Sequence, residues 1–186
     1  MDIKGIIAID CWDNNNLKSF YNNLDKKINF KDIESIIICN YEVCLDCNDV
    51  SLYNTLETYC WSECNEKILL PLIKEARCRQ TSAWLKDKFS DNTFMLLDMY
   101  SVDYHITNCV PHIKDWLVIG GTYGGCTHSR PVNLKELPNL NANFYIAPWS
   151  MYDENEQDLI LRKETIKKDT AINFTEVDNN YFLINK

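Results

Sequence analysis

The segment that decides the fold is 116-WLVIGGTYGGCTHSRPV-132. Its first four residues form an apolar run that is typical of a buried strand. Four of the chain's five glycines then occur within six residues, and Cys126 follows directly. Glycine accepts positive φ and lets the backbone approach a ligand, so this clustering indicates a functional turn. A strand, a glycine turn and a reactive residue at a helix start is the plan of a nucleophile elbow. The competing interpretation is a tight turn beside an inert, buried cysteine.

Length and composition predict a folded protein. The chain has 186 residues, of which 46% are hydrophobic and 12% aromatic, which is typical of a globular domain. We expect a single domain over 1–186, with 150–186 as a C-terminal extension or hairpin. The abundance of Asn, Lys and Ile indicates an AT-rich coding sequence such as that of a virus.

The net charge of −8 argues against a nucleic-acid partner, which requires a basic face, and against an anionic membrane surface. No apolar run approaches the length of a membrane span, so we expect no membrane partner. Nine cysteines without a recognisable secretion signal predict free thiols in a reducing cytoplasm.

Buried strands are predicted at residues 6–9, 35–39, 94–97, 116–119 and 144–147, with helical segments between them. This alternation predicts an α/β fold, a three-layer sandwich with a mainly parallel, Rossmann-like sheet of five or six strands. Residues 172–177 and 181–184 are predicted to form a hairpin. Asp10 and Asp98 each follow a predicted strand, at the sheet edge where open α/β sheets bind ligands.

Two motifs carry a resemblance to a known family. The run IIAID ends in Asp10, and VIGGTYGGC places Cys126 six residues after Gly120, with Thr122 inside the loop. In both respects the chain resembles the isochorismatase-like cysteine hydrolases, which include nicotinamidases. The resemblance implies that Cys126 is the nucleophile and that Asp10 exchanges its proton with the leaving group. It also implies a small-molecule substrate, an amide or related carbonyl compound, and a homo-oligomer.

The remaining candidate residues would surround that substrate. Backbone N–H groups of the loop could form an oxyanion hole, and a helix start at Cys126 would favour the thiolate. The predicted substrate-binding residues are Trp12, Asp98, Gly121, Thr122, Tyr123, Gly124, Gly125 and His128.

The chain departs from the family at one position. The family's third catalytic residue is a lysine near the end of the strand before the cysteine strand, but residues 97–100 contain none. Lys86, Lys88 and Lys114 lie in other predicted segments. This departure keeps open a non-catalytic relative that serves as a binding or assembly protein.

Three further groups have competing interpretations. The spacing of Cys44, Cys47, Cys60 and Cys64 fits structural zinc, but we favour packed thiols and expect no cofactor. Asp10 and Asp98, together with His128, could hold a metal for a metal-dependent hydrolase. Alternatively the two carboxylates only cap turns, which we favour. His105 and His112 are predicted to be surface or capping residues.

Overall fold

A computed structural model of the chain describes residues 1–9, 26–39, 93–96, 98–120, 123–151, 158–178 and 180–186. Five parallel strands form the centre of the fold, in the spatial order β3-β2-β1-β4-β5. They are β1 (Gly5–Ile9), β2 (Ser35–Cys39), β3 (Thr93–Met95), β4 (Asp115–Ile119) and β5 (Asn143–Ile146). Each lies where an apolar run predicted a strand, with its ends within two residues of the expectation.

The C-terminal hairpin extends this sheet. Its strands are β6 (Phe174–Asp178) and β7 (Tyr181–Ile184), which pair antiparallel with each other. Strand β7 also pairs antiparallel with β5, which gives a sheet of seven strands in the order β3-β2-β1-β4-β5-β7-β6. The α/β class is therefore confirmed, but the sheet is mixed and has more strands than the expected five or six because the hairpin joins it. The prediction of a single domain stays a prediction.

Both faces of the sheet are buried. Alternate residues of β1 and β4 enter two separate apolar clusters, with Ile7 and Val118 in one and Ile6 and Leu117 in the other. Burial on both faces explains why these strands are continuous apolar runs and not alternating ones.

Gly5 lies beside Trp116 in the β1–β4 pairing. The Trp116 indole is fully buried and donates its Nε1–H to the Ile113 carbonyl at 3.3 Å. A Cβ atom on residue 5 would lie 2.3 Å from Cε3 of this indole. The chain's fifth glycine is thus required by a close side-chain contact and not by its backbone angles.

The α-helices that are described from end to end are α1 (Met99–Tyr104), α2 (Cys126–Ser129) and α3 (Asp158–Lys168). A π-helical turn (His105–Cys109) continues α1, and short 3₁₀ turns cover Phe30–Asp32, Leu137–Asn139 and Pro148–Ser150. In this described part of the chain, no helix is long and apolar enough to cross a membrane.

The prediction that His105 is a surface or capping residue is wrong. Its side chain is fully buried, with Nε2 3.1 Å from Ser35 Oγ and its ring centroid 4.2 Å from that of Phe94. His105 therefore ties the π-helical turn to β2 and β3. His112 is exposed, as predicted, and pairs with Glu34 at 3.0 Å.

The described cysteines differ in state. Cys39 and Cys126 keep their thiols, whereas Cys109 is disulfide-bonded. The disulfide contradicts the expectation that all nine cysteines are free thiols. The number of cysteines gives no information about which side chains the fold brings together.

Candidate functional site

The glycine loop begins where β4 ends. Gly120 is buried, has φ of 79°, and donates its N–H to the Ser150 carbonyl at 2.6 Å. A residue with a Cβ would be strained in this left-handed conformation. Glycine at position 120 thus allows the chain to leave β4 in a sharp turn that is fastened to the 3₁₀ turn after β5.

A second left-handed glycine precedes Cys126. Gly124 also has φ of 79°, but a Cβ there would meet no atom within 4 Å, so its requirement is conformational only. Gly125 accepts N–H groups of His128 at 3.0 Å and Ser129 at 3.1 Å through its carbonyl. Cys126 is the first residue of α2 and is partly buried. The predicted order of strand, glycine turn, cysteine and helix is present.

Helix α2 is shorter than the helix that follows the nucleophile in a nucleophile elbow. It has four residues, about one turn, so few peptide dipoles are aligned behind Cys126. The expected stabilisation of a thiolate by a helix start is correspondingly small. Any further stabilisation of the thiolate by the backbone would come from individual N–H groups of the turn.

Asp169 holds this turn from outside the loop. The residue follows α3, and its Oδ2 accepts Tyr123 O–H at 2.6 Å and lies 2.9 Å from His128 Nε2. Its Oδ1 accepts the Ala171 N–H at 2.7 Å. The rings of Tyr123 and His128 also meet edge to face, with centroids 4.9 Å apart. Sequence reasoning missed Asp169, since no local spacing connects residues 41 positions apart.

The pKa directions follow from these contacts. Burial would raise the pKa of Asp169, but hydrogen bonds from Tyr123, His128 and the Ala171 N–H outweigh it, so the pKa lies below its ordinary value. Burial, and then the bond to Asp169, raise the pKa of Tyr123. Asp169 is therefore ionised and Tyr123 protonated at neutral pH.

His128 is a predicted substrate-binding residue whose ring nitrogens both contact protein groups. Nε2 faces Asp169, and Nδ1 lies 3.0 Å from Oγ1 of Thr127, which is itself fully buried. A substrate could reach a nitrogen of His128 only if one of these contacts broke. A Cys–His pair, in which the imidazole removes the thiol proton, would need the same break.

Asp98 caps a helix. Its Oδ1 accepts the Ser101 N–H at 2.7 Å at the start of α1, the arrangement expected of an N-cap. Strand β3, which precedes it, is separated from β4 by β2 and β1. Three strand spacings amount to roughly 14 Å. Asp98 therefore lies well to the side of the strand that leads to Cys126.

Several predicted site residues lie outside the described residues. They are Asp10, Trp12, Gly121 and Thr122, together with the candidate zinc ligands Cys44, Cys47, Cys60 and Cys64. Within the described ranges, no group of three His, Cys, Asp or Glu side chains could hold a metal ion. Lys114 directly precedes β4, so it lies at the sheet edge opposite Cys126.

Comparison of the chain with protein-family models, with curated proteins and with solved structures finds no match. The resemblance to the isochorismatase-like family therefore rests on the two motifs alone and stays a prediction.

Proposed function

We propose that the protein is a cysteine hydrolase that acts on a small amide or related carbonyl compound, with Cys126 as nucleophile and Asp10 as its proton acceptor. The proposed architecture is a Rossmann-like three-layer sandwich. The observation that carries the proposal is the position of the Cys126 turn in the sheet. Strand order reverses between β1 and β4, and open α/β sheets bind ligands at such a reversal. Cys126 follows β4, and Asp10 directly follows β1 in sequence.

The proposed reaction needs few groups. Asp10 takes the thiol proton of Cys126, and the thiolate attacks the amide carbonyl carbon to form a C–S bond. N–H groups of the glycine turn stabilise the oxyanion. The C–N bond then breaks, and Asp10 returns the proton to the departing amine. Water hydrolyses the remaining thioester, which releases the acid and restores the thiol.

A non-catalytic binding or assembly protein with the same fold is the second candidate. Two observations favour it. Both ring nitrogens of His128 contact protein groups, and Lys114 directly precedes β4, at the sheet edge opposite the one where β1 ends. A metal-dependent hydrolase is less well supported, since Asp98 caps α1. In either leading case we propose a cytoplasmic, viral protein that forms a homo-oligomer.

We expect limiting iodoacetamide to modify Cys126 at least about tenfold faster than any other cysteine that it labels at neutral pH, because an activated thiolate is the reactive form. Peptide mapping after brief labelling measures this ratio in the wild type and in Asp10→Asn. If Cys126 reacts no faster than the other labelled cysteines in both proteins, the hydrolase proposal fails. Ammonia release from a panel of small primary amides then tests turnover, with Cys126→Ser as the inactive control.

A further inference from the structure

The side chain of Asp169 joins the two flanks of the cysteine turn. Tyr123 lies three residues before Cys126 and His128 two residues after it, and both side chains meet the same carboxylate oxygen. The carboxylate is itself anchored, because its other oxygen accepts the Ala171 N–H. One side chain from the α3–β6 connection therefore contacts the cysteine turn on both sides of Cys126.

The donors in this network can be assigned. An ionised carboxylate only accepts hydrogen bonds, so Tyr123 O–H and His128 Nε2–H donate to Asp169. In a neutral imidazole the other nitrogen, Nδ1, must then accept, and the Thr127 hydroxyl lies 3.0 Å from it. The oxygen of that hydroxyl in turn accepts the Gly124 N–H at 3.3 Å.

These bonds connect the two ends of the turn through one carboxylate. Gly124 donates to Thr127, Thr127 to His128 and His128 to Asp169. Asp169 also accepts the hydrogen bond from Tyr123. The side chains of His128 and Asp169 are only 13% and 12% exposed, so water competes weakly for these bonds. Bonds to an ionised group are about twice as strong as neutral ones. Loss of the carboxylate would remove the partner of two donors at once.

We infer that Asp169 is a positioning residue for the cysteine turn: through Tyr123 and His128 it holds residues 123–128 in the conformation that presents Cys126. The functional meaning of this role rests on the proposed hydrolase activity. We call the contacts of Asp169 with Tyr123 and His128 the clamp. These contacts belong to the folded protein and can be measured without any substrate.

The test is amide hydrogen exchange over residues 123–128 in the wild type and in Asp169→Asn. We expect exchange to accelerate by about tenfold or more in the variant, since a local opening no longer breaks two charge-assisted bonds. Glu176→Gln is the matched control. Glu176 is a carboxylate on the neighbouring β6 that pairs with Lys163 and Lys167, both at 3.1 Å. Its loss should leave exchange in the turn unchanged.

A spectroscopic measurement distinguishes loss of the Asp169 contacts from a general loss of stability. In the wild type, ¹⁵N NMR should find the His128 ring protonated at Nε2, and Asp169→Asn should shift the ring toward a tautomer mixture. Unchanged exchange together with an unchanged His128 tautomer in Asp169→Asn overturns the inference. Should that variant not fold, Tyr123→Phe, which removes a single O–H group, carries the same exchange test.

The outcome is independent of the hydrolase proposal. If Cys126 labels slowly but Asp169→Asn loosens the turn, the hydrolase proposal fails and the clamp stands. If Cys126 labels fast, while the exchange of the turn and the His128 tautomer are the same in both proteins, the clamp fails and the hydrolase proposal stands.

Discussion

Replacement of Gly5 by alanine is expected to destabilise the protein by about 1–3 kcal/mol, the usual effect of overpacking a core. The added methyl group would lie 2.3 to 2.6 Å from three ring atoms of Trp116. That indole is fully buried and held by the Ile113 carbonyl, so it cannot turn aside. Urea denaturation of wild type and Gly5→Ala measures the difference in the free energy of unfolding.

Whether Gly5→Ala lowers or raises the free energy of unfolding tests the contact between residue 5 and Trp116. Without a clash, Gly→Ala at an ordinary strand position would stabilise by about 0.4–1 kcal/mol, because alanine restricts the unfolded chain. A double-mutant cycle with Trp116→Leu provides the control. Leucine is smaller than tryptophan and leaves room for the added methyl group. The destabilisation by Gly5→Ala should therefore be smaller by about 1 kcal/mol or more in the Trp116→Leu background. A neutral or stabilising Gly5→Ala in the wild type would show that the β1–β4 contact is looser than described.

The strands could be predicted from the sequence because their burial is simple. Runs such as residues 6–9 and 36–39 are buried on both faces, so each is a continuous apolar stretch. The glycine turn could also be predicted, because the left-handed φ at Gly120 and Gly124 favours glycine and so appears in the sequence as a glycine cluster.

Contacts between distant segments could not be predicted in the same way. Asp169 binds Tyr123 and His128 only because α3 returns the chain to the end of β4. A single aspartate after a charged helix does not indicate in the sequence that it will make these contacts. Gly5 is a similar case: only the register that sets it opposite Trp116 explains it.

His105 was predictable in principle. Ser101, Val102, His105 and Ile106 are all buried, and their spacing is that of one helical face. The prediction of a surface or capping position for His105 did not use this spacing. The start of α1 at Met99 gives the face enough length to be recognised.

The burial of His105 is expected to make the protein sensitive to mild acid. Burial lowers the pKa of His105 from 6.5 to about 4, so the folded state binds this proton less readily than the unfolded state. The associated stability is fully present above pH 6.5. It falls as the pH drops from 6.5 toward 4, because the unfolded chain takes up a proton that the folded chain refuses. A shift of this size corresponds to about 3 kcal/mol.

His105→Gln isolates this effect. Glutamine does not titrate, and its amide can still form a hydrogen bond with the Ser35 hydroxyl, the partner of Nε2. The variant is expected to be less stable at pH 7.5, because it loses the ring contact with Phe94. The stability difference between the two proteins should nevertheless narrow by about 1.4 kcal/mol per pH unit between pH 6 and 4.5. Carboxylates and the other histidines titrate alike in both proteins and cancel in this difference. Urea denaturation at four values of pH from 7.5 to 4 measures this difference in the free energy of unfolding. If the difference stays constant over this range, His105 is protonated or solvated in the folded state. That result would contradict its burial between β2, β3 and the π-helical turn.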